Sequence, residues 1–382
     1  MSETIELVAG SDAEDPVRAI NDALLDLLAQ MAPLGLPPAA LTGMIWEAAS
    51  PAAFDPGRRV IDIAVRDAIA GFRPRVTLRP GSAGLRIVAT LDTRRPDATT
   101  KIWRDFTLPA LARAYSARSQ VADLQAVFEH WRARSAAFLA TQRRPALDLV
   151  YGPGPNETLD LFYPPGATQR NLPLWIFIHG GFWQAMDKNL HRHFAAGMLA
   201  AGFAVALPNH ELAPALDLAG IADQLRRAAL FVHARAPEFG IDADAIHVCG
   251  HSAGGHLAAM LASDPRTGFL RSALPVSGLF DLVPMSLLPM RRLLGLDSER
   301  IVAELSPVRR TRTGACRVEI AVGADELPEF RRQSDEIAAL WNCPPTHHVP
   351  GRHHFDVVDD LADGGPLLEQ ALRLAGRRGT AG

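Results

Sequence analysis

The sequence predicts an α/β fold with a mostly parallel sheet of eight strands and helices on both faces, preceded by a small α+β domain. Two observations support the α/β class. From residue 147 onward, short β-rich runs alternate with helix-like segments, which is the order that a parallel sheet with crossovers requires. The run at residues 174–178 is apolar at every position, as expected for a central strand covered on both faces.

The elements follow in order along the chain. The larger domain, at residues 108–378, has predicted strands at residues 147–151, 159–163, 174–178, 204–207, 245–249, 273–276, 317–322 and 346–349. Its predicted helices lie at residues 108–142, 191–201, 221–235, 254–263, 328–341 and 355–362. The small domain, at residues 1–92, has predicted strands at residues 5–8, 41–46, 75–78 and 85–91 and helices at residues 16–31 and 58–69. Residues 93–107 are interpreted as a linker.

Composition excludes several function classes. The 382-residue chain has a net charge of −3 and no extended basic segment, so we expect no nucleic-acid partner. No apolar run is long enough to span a bilayer and the N-terminus is acidic, so we expect a cytoplasmic protein without a membrane segment. The three cysteines are widely spaced and form no metal-binding pattern, so no metal site is expected.

A reactive serine is predicted at residues 250–254, which read Gly-His-Ser-Ala-Gly. This segment follows an apolar strand and precedes a helix-like segment, the setting of the nucleophile elbow in the α/β-hydrolase fold. The glycines two residues to either side of Ser252 avoid collisions of Cβ atoms with the neighbouring strand and helix. The sequence therefore predicts an α/β-hydrolase fold with Ser252 as the nucleophile.

An oxyanion-binding loop is predicted after the central strand, where residues 179–183 read His-Gly-Gly-Phe-Trp. Backbone N–H groups in such a loop, together with that of the residue after the nucleophile, stabilise the charge that develops on the carbonyl oxygen. We assign this role to the following residues: Gly180, Gly181, Phe182 and Ala253. The side chains predicted to contact a small-molecule substrate are those of His179, Trp183 and His251.

The acid and the base should follow the nucleophile in that order. Asp325 lies at the carboxyl end of a predicted strand and is the predicted acid, while the adjacent Glu326 is expected to face elsewhere. Asp281 is the alternative acid, or else it caps a turn. His354 directly precedes a predicted helix and is preferred as the base over His353.

Several linked motifs resemble the arylformamidases (kynurenine formamidases), from about residue 108 to residue 374. These motifs occupy residues 147–153, 157–162, 179–183, 250–256, 277–282, 325–334 and 354–355. The resemblance implies a triad of Ser252, Asp325 and His354 that cleaves an N-formyl aryl amide to an arylamine and formate without a metal or cofactor. The chain departs from the family at His210, where a tyrosine is usual, and at residues 285–292.

Two alternatives remain open at this point. The same residues would serve a carboxylesterase or carbamate hydrolase, because sequence does not define the volume of the substrate pocket. A non-catalytic binding protein on a hydrolase scaffold is the alternative from another class.

The small domain resembles the RidA group of trimeric enamine/imine deaminases, in which an arginine binds a substrate carboxylate. The matching residue here is Arg75, but residues 85–89 lack the acidic residues usual in the next strand. We therefore interpret the domain as an oligomerisation or regulatory module. A sheet with helices on one face leaves the other face uncovered, so we expect a homo-oligomer.

Overall fold

The computed structural model describes residues 4–11, 41–48, 75–80, 85–92, 101–166, 171–312 and 315–376, together with Ala23, Asp26, Leu27 and Gln30. The chain divides into two compact units. The first comprises Met1–Ser119 and Pro284–Leu293, and the second comprises Gln120–Val283 and Leu294–Gly382. The second unit therefore begins at Gln120 rather than at residue 108.

The first unit contains a four-stranded sheet of β1 (Thr4–Ser11), β2 (Leu41–Ala48), β3 (Arg75–Pro80) and β4 (Leu85–Asp92). The strand order is β1-β4-β2-β3, in which β4 is antiparallel to β1 and β2 while β2 and β3 are parallel. All four strands predicted for this domain are confirmed. The helices predicted at residues 16–31 and 58–69 lie outside the described residues, except that Ala23, Asp26, Leu27 and Gln30 are helical. Self-association through this unit stays a prediction.

The predicted linker is partly ordered. Strands β5 (Lys101–Trp103) and β6 (Phe106–Thr107) pair antiparallel, and a helix begins directly after them. Residues 93–100 lie outside the described residues.

The second unit is built on a nine-stranded sheet. Its strands are β7 (Ala146–Val150), β8 (Thr158–Phe162), β9 (Leu172–Ile178), β10 (Ala204–Pro208), β11 (Ile241–His251), β12 (Ser272–Val276), β13 (Arg317–Val318), β14 (Ala321–Gly323) and β15 (His347–Val349). The order is β15-β14-β12-β11-β9-β10-β8-β7, and β13 pairs with β12. The strands from β9 to β15 pair parallel, whereas β8 is antiparallel to both of its neighbours. The strand predicted at residues 317–322 is split into β13 and β14, so the predicted count of eight is too low by one.

The helices are α1 (Leu108–Ala114), α2 (Leu124–Thr141), α3 (Lys188–His191), α4 (Ala196–Ala200), α5 (Leu218–Ala234), α6 (Ala253–Ala262), α7 (Val283–Ser286), α8 (Glu299–Leu305), α9 (Pro328–Leu340), α10 (Asp360–Asp363) and α11 (Pro366–Leu374). The helical region predicted at residues 108–142 is interrupted, because α2 begins anew at the cap Asp123, whose side chain accepts from Ala126 N–H. Helices α7, α8 and α11 were not predicted. In the described part of the chain, no helix has the length and apolar character that crossing a bilayer requires.

The parallel strands of the second unit bring several loops to one edge of its sheet. The central strand β9 is almost entirely buried, as its apolar sequence predicted. Because β9, β11, β12, β14 and β15 are parallel, their carboxyl ends lie at the same edge, where ligands bind in open α/β sheets. The predicted nucleophile, oxyanion loop, acids and base all follow these five strands.

Candidate active site

Ser252 lies at the sharp turn between β11 and α6, as the elbow motif predicted. Its backbone has φ +57° and ψ −117°, an unfavourable conformation for a residue other than glycine. Two hydrogen bonds fix the turn: Ser252 N–H donates to Val276 O at 2.9 Å, and Ser252 O accepts from His256 N–H at 3.0 Å. A Cβ atom at Gly250 would lie 2.3 Å from the carbonyl oxygen of Gly254, so a larger residue does not fit there.

His354 connects Ser252 to a carboxylate. Its Nε2 lies 2.9 Å from Ser252 Oγ, and its Nδ1 lies 2.7 Å from Glu326 Oε2. All three side chains are buried. The alternative base, His353, uses its Nδ1 to accept from Phe355 N–H at 3.1 Å. The structure therefore brings the predicted base His354 to the nucleophile, and not His353.

The predicted acid, Asp325, is wrong: the carboxylate on His354 belongs to Glu326. Asp325 is exposed, and its backbone N–H donates to Arg352 O at 3.0 Å. The chain turns tightly after β14, where Glu326 N–H donates to Gly323 O at 3.2 Å. This turn directs the side chain of Glu326 into the protein and that of Asp325 to solvent.

Glu326 is held as a carboxylate by its surroundings. Oε1 accepts from the hydroxyl of Ser277 and from Gly323 N–H, the latter at 2.8 Å. Burial by itself raises the pKa of Glu326, but the imidazole of His354 and these donors outweigh burial and hold that pKa below its usual range. With Glu326 ionised, Nδ1 of His354 carries a proton and Nε2 is free to accept the hydroxyl proton of Ser252.

The alternative acid, Asp281, caps the turn that follows it. Its Oδ1 accepts from Val283 N–H at 3.0 Å, and burial raises the pKa of its carboxyl. It makes no hydrogen bond to His354 among the described residues.

The oxyanion loop lies directly against the nucleophile. A Cβ atom at Gly180 would lie 3.3 Å from Ser252 Cβ. The next residue, Gly181, has φ +115°, and a Cβ atom there would lie 2.0 Å from Ala185 O. Phe182 continues with φ +56°. This backbone is strained, and position 181 requires glycine because the backbone there lies directly against Ala185.

Four backbone donors remain available in the oxyanion loop and directly after Ser252. Within the described residues, the predicted donors Gly180, Gly181, Phe182 and Ala253 all have N–H groups that donate to no backbone carbonyl. Ala253 is the first residue of α6, so its N–H has no partner within the helix. The arrangement can therefore stabilise a negative oxygen formed at a carbonyl that Ser252 attacks.

The rings of His179 and His251, two of the predicted substrate contacts, each bond a backbone carbonyl. His179 Nδ1 lies 2.7 Å from Gly180 O, and His251 Nε2 lies 2.7 Å from His354 O. Both rings are buried, and burial lowers the pKa of His251 to about 3. Trp183 is also buried, with its ring packed edge-on against that of His256. The two histidines thus support the backbone of the oxyanion loop and of the base, and substrate contacts of His179, Trp183 and His251 stay predictions.

His210 replaces the tyrosine that is usual in the family and stacks on His179. The ring centroids lie 4.5 Å apart with an interplanar angle of 6°. Burial lowers the pKa of His210 to about 3, so this ring is neutral near neutral pH. Despite these histidines, the described part of the chain has no cluster of three or more histidine, cysteine, aspartate or glutamate side chains that could hold a metal ion.

Two residues of the site were not predicted, Ser277 and Gln333. Ser277 donates to Glu326, and Gln333 Oε1 accepts from Phe280 N–H at 2.6 Å and from Asp281 N–H at 2.8 Å. Both belong to motifs that carry the family resemblance, which is the signal that could have identified them.

Fold and site together define a hydrolase of the α/β-hydrolase class. A family described as BD-FAE matches residues 159–272. Kynurenine formamidase of Salmo salar is 29% identical over 240 residues, which cover 59% of this chain and 80% of that protein. Esterase LipQ of Mycobacterium tuberculosis is 31% identical over 149 residues, 35% of each protein. A solved structure described as a candidate thioesterase from a Silicibacter species is 32% identical with a TM-score of 0.60, covering 65% of this chain and 94% of that one.

The chain is an α/β-hydrolase that is similar to the arylformamidases. It is an enzyme that hydrolyses amides or esters, and the alternative of a binding protein on a hydrolase scaffold is not supported.

Proposed function

We propose that the protein cleaves a small aryl formamide of the N-formylkynurenine type, or a related amide, through Ser252, His354 and Glu326. The observation that supports this chemistry best is the continuous hydrogen-bond chain from Ser252 Oγ to His354 at 2.9 Å and from His354 to Glu326 at 2.7 Å. The substrate class rests on the similarity to kynurenine formamidase.

In the first half of the reaction, Ser252 Oγ attacks the formyl carbon while His354 Nε2 accepts the hydroxyl proton. The carbonyl oxygen becomes negative and is stabilised by the N–H groups of Gly181, Phe182 and Ala253. When the C–N bond breaks, His354 returns the proton to the nitrogen, and a neutral arylamine leaves. Glu326 stabilises the imidazolium throughout.

In the second half, water attacks the formyl ester on Ser252. His354 accepts a proton from this water and then donates it to Ser252 Oγ as the ester bond breaks. Formate leaves with the oxygen that came from water, and the hydroxyl of Ser252 is restored.

The confined surroundings of the nucleophile favour a formyl group. Ser252 is only 6% exposed, and a Cβ atom at Gly180 would lie 3.3 Å from the Cβ atom of Ser252. A formyl carbon bears hydrogen where other acyl groups bear carbon, so it needs the least room beside Ser252. This narrow space supports a formamide over amides of longer acids.

Ester hydrolysis is the second candidate function. The same nucleophile, base and oxyanion donors act on esters, and the similarity to esterase LipQ and to the candidate thioesterase favours it. An ester leaving group depends less on protonation by His354 than an amine does.

A substrate series tests the proposal. Purified protein is given N-formylkynurenine, formanilide, acetanilide, phenyl formate, phenyl acetate and a phenyl carbamate, with Ser252→Ala as the background control. We expect kcat/KM to be highest for the formyl compounds and to fall from formanilide to acetanilide, because an acetyl group needs more room beside the buried Ser252 than a formyl group does. Turnover of phenyl acetate without formate release from either formamide would contradict the formamide assignment and favour the esterase.

A further inference from the structure

Ser277 occupies an unusual position at the end of β12. It is fully buried, and its hydroxyl donates to Oε1 of Glu326. Its backbone has φ +52°, in the left-handed region, and its N–H donates to Ala321 O at 2.8 Å. Glycine would adopt this conformation without a steric cost, so the serine side chain is retained here at some expense in backbone strain.

The loop that carries Ser277 is fixed by the helix that follows the acid. Gln333 on α9 accepts from the N–H groups of Phe280 and Asp281 and donates to Asp281 O at 3.2 Å. Helix α9 begins two residues after Glu326. Helix α9 therefore holds both the donor Ser277 and the acceptor Glu326. Gln333 of this helix fixes the loop that follows Ser277, and Glu326 lies in the turn that leads directly into the helix.

The two oxygens of Glu326 have separate partners. Oε1 accepts from Ser277 and Gly323, whereas Oε2 faces His354. Fixing Oε1 prevents rotation of the carboxylate and so keeps Oε2 directed at the imidazole.

We infer that Ser277 is a positioning residue of the proposed reaction, whose hydroxyl holds the Glu326 carboxylate in the orientation that directs Oε2 to His354. This inference rests on the proposed triad. Ser277 does not contact the reacting atoms, and it acts only through Glu326.

The test compares Ser277→Ala and Ser277→Gly with the wild-type full chain. Both variants remove the hydroxyl, and glycine also relieves the backbone strain at φ +52°. A loss of activity that the two variants share therefore cannot be attributed to misfolding of one of them. We expect kcat/KM to fall about tenfold or more, mainly through kcat, because a hydrogen bond to a charged group is lost. The acid limb of the kcat/KM profile should move to lower pH, since a Glu326 carboxylate that is free to rotate stabilises the protonated imidazole less.

Ser272→Ala is the matched control. Ser272 begins β12, the strand that Ser277 directly follows, and it is equally buried. Its hydroxyl is bonded to His247 Nδ1 at 2.7 Å, away from Glu326. We expect this variant to keep the wild-type kcat and pH profile. Thermal midpoints of all variants are measured alongside, together with the rate at which a fluorophosphonate labels Ser252, which should fall only in the Ser277 variants.

Two results would overturn the inference. One is wild-type kcat/KM and an unmoved acid limb in both Ser277 variants, while Glu326→Gln is impaired. The other is loss of kcat with an unmoved acid limb, which indicates a purely structural role. If Glu326→Gln also keeps full activity, the proposed triad itself has failed, and the two failures are thereby distinguished.

Discussion

Replacing Ser252 with alanine is expected to lower kcat by about six orders of magnitude, which is the size of the loss when the nucleophile of a triad is removed. The hydroxyl is the group from which the acyl-enzyme forms, and no other hydroxyl bonds to His354 among the described residues. Alanine meets the same backbone requirement at φ +57° as serine, so the elbow should persist. Formate release from N-formylkynurenine and hydrolysis of phenyl formate measure the effect, with thermal unfolding as the check on folding.

Ser263→Ala serves as the control for this change. Ser263 is a buried serine at the other end of α6, where its hydroxyl donates to Ala259 O at 3.1 Å. Its replacement should leave kcat unchanged. A Ser252→Ala variant that kept a tenth of the wild-type rate or more would exclude Ser252 as the nucleophile.

Replacing His354 with alanine should be as damaging as loss of Ser252, because the nucleophile and its base act as a unit. Without the imidazole, nothing removes the proton from Ser252 Oγ or protonates the leaving nitrogen. His251 lies near, with its ring centroid 4.9 Å from that of His354, but its Nε2 is bonded to the backbone of residue 354. It is therefore not placed to act as a substitute base.

The neighbouring His353 is the matched control for His354. His353 is half-buried and bonded to the backbone of the turn that follows it. We expect His353→Ala to retain most of the activity in the same formate-release assay. The opposite order of effects, with His353→Ala inactive and His354→Ala active, would show that the base has been assigned to the wrong histidine.

The sheet and the elbow could be predicted because both depend on local patterns. A strand buried on both faces must be apolar throughout, as β9 is, and a turn as tight as that at Ser252 excludes Cβ atoms at fixed positions. The order of strands then brought Ser252 and His354 to one edge of the sheet. The topology of the sheet was therefore enough to predict that these two residues, distant in sequence, lie near each other, without knowledge of any side-chain contact.

The identity of the acid could not be predicted in the same way. Asp325 and Glu326 are adjacent carboxylates in one loop, and the sequence does not state which of them turns inward. That choice is made by the hydrogen bond from Glu326 N–H to Gly323 O and by the donors Ser277 and Gly323 that receive the buried carboxylate. The contact with Ser277 joins residues that follow different strands, so it exists only in the folded protein.

His179 and His251 show the same limit. His179 begins the predicted oxyanion loop and His251 precedes the nucleophile, and this proximity in sequence suggested contact with substrate. In the structure one ring nitrogen of each is bonded to a backbone carbonyl, that of Gly180 and that of His354 respectively. A motif can locate a residue beside a site, but the direction of its side chain depends on the hydrogen-bond partners available around it.

The assignment of Ser252, His354 and Glu326 as one catalytic unit is tested most directly by comparing Glu326→Gln with Asp325→Asn. A glutamine at position 326 keeps the shape of the side chain but removes its charge and allows the wrong imidazole tautomer. We predict that kcat/KM for N-formylkynurenine and phenyl formate falls about 10⁴-fold in Glu326→Gln. Asp325→Asn, on the exposed neighbour, should retain the wild-type value. Full activity of Glu326→Gln together with a large loss in Asp325→Asn would contradict the account.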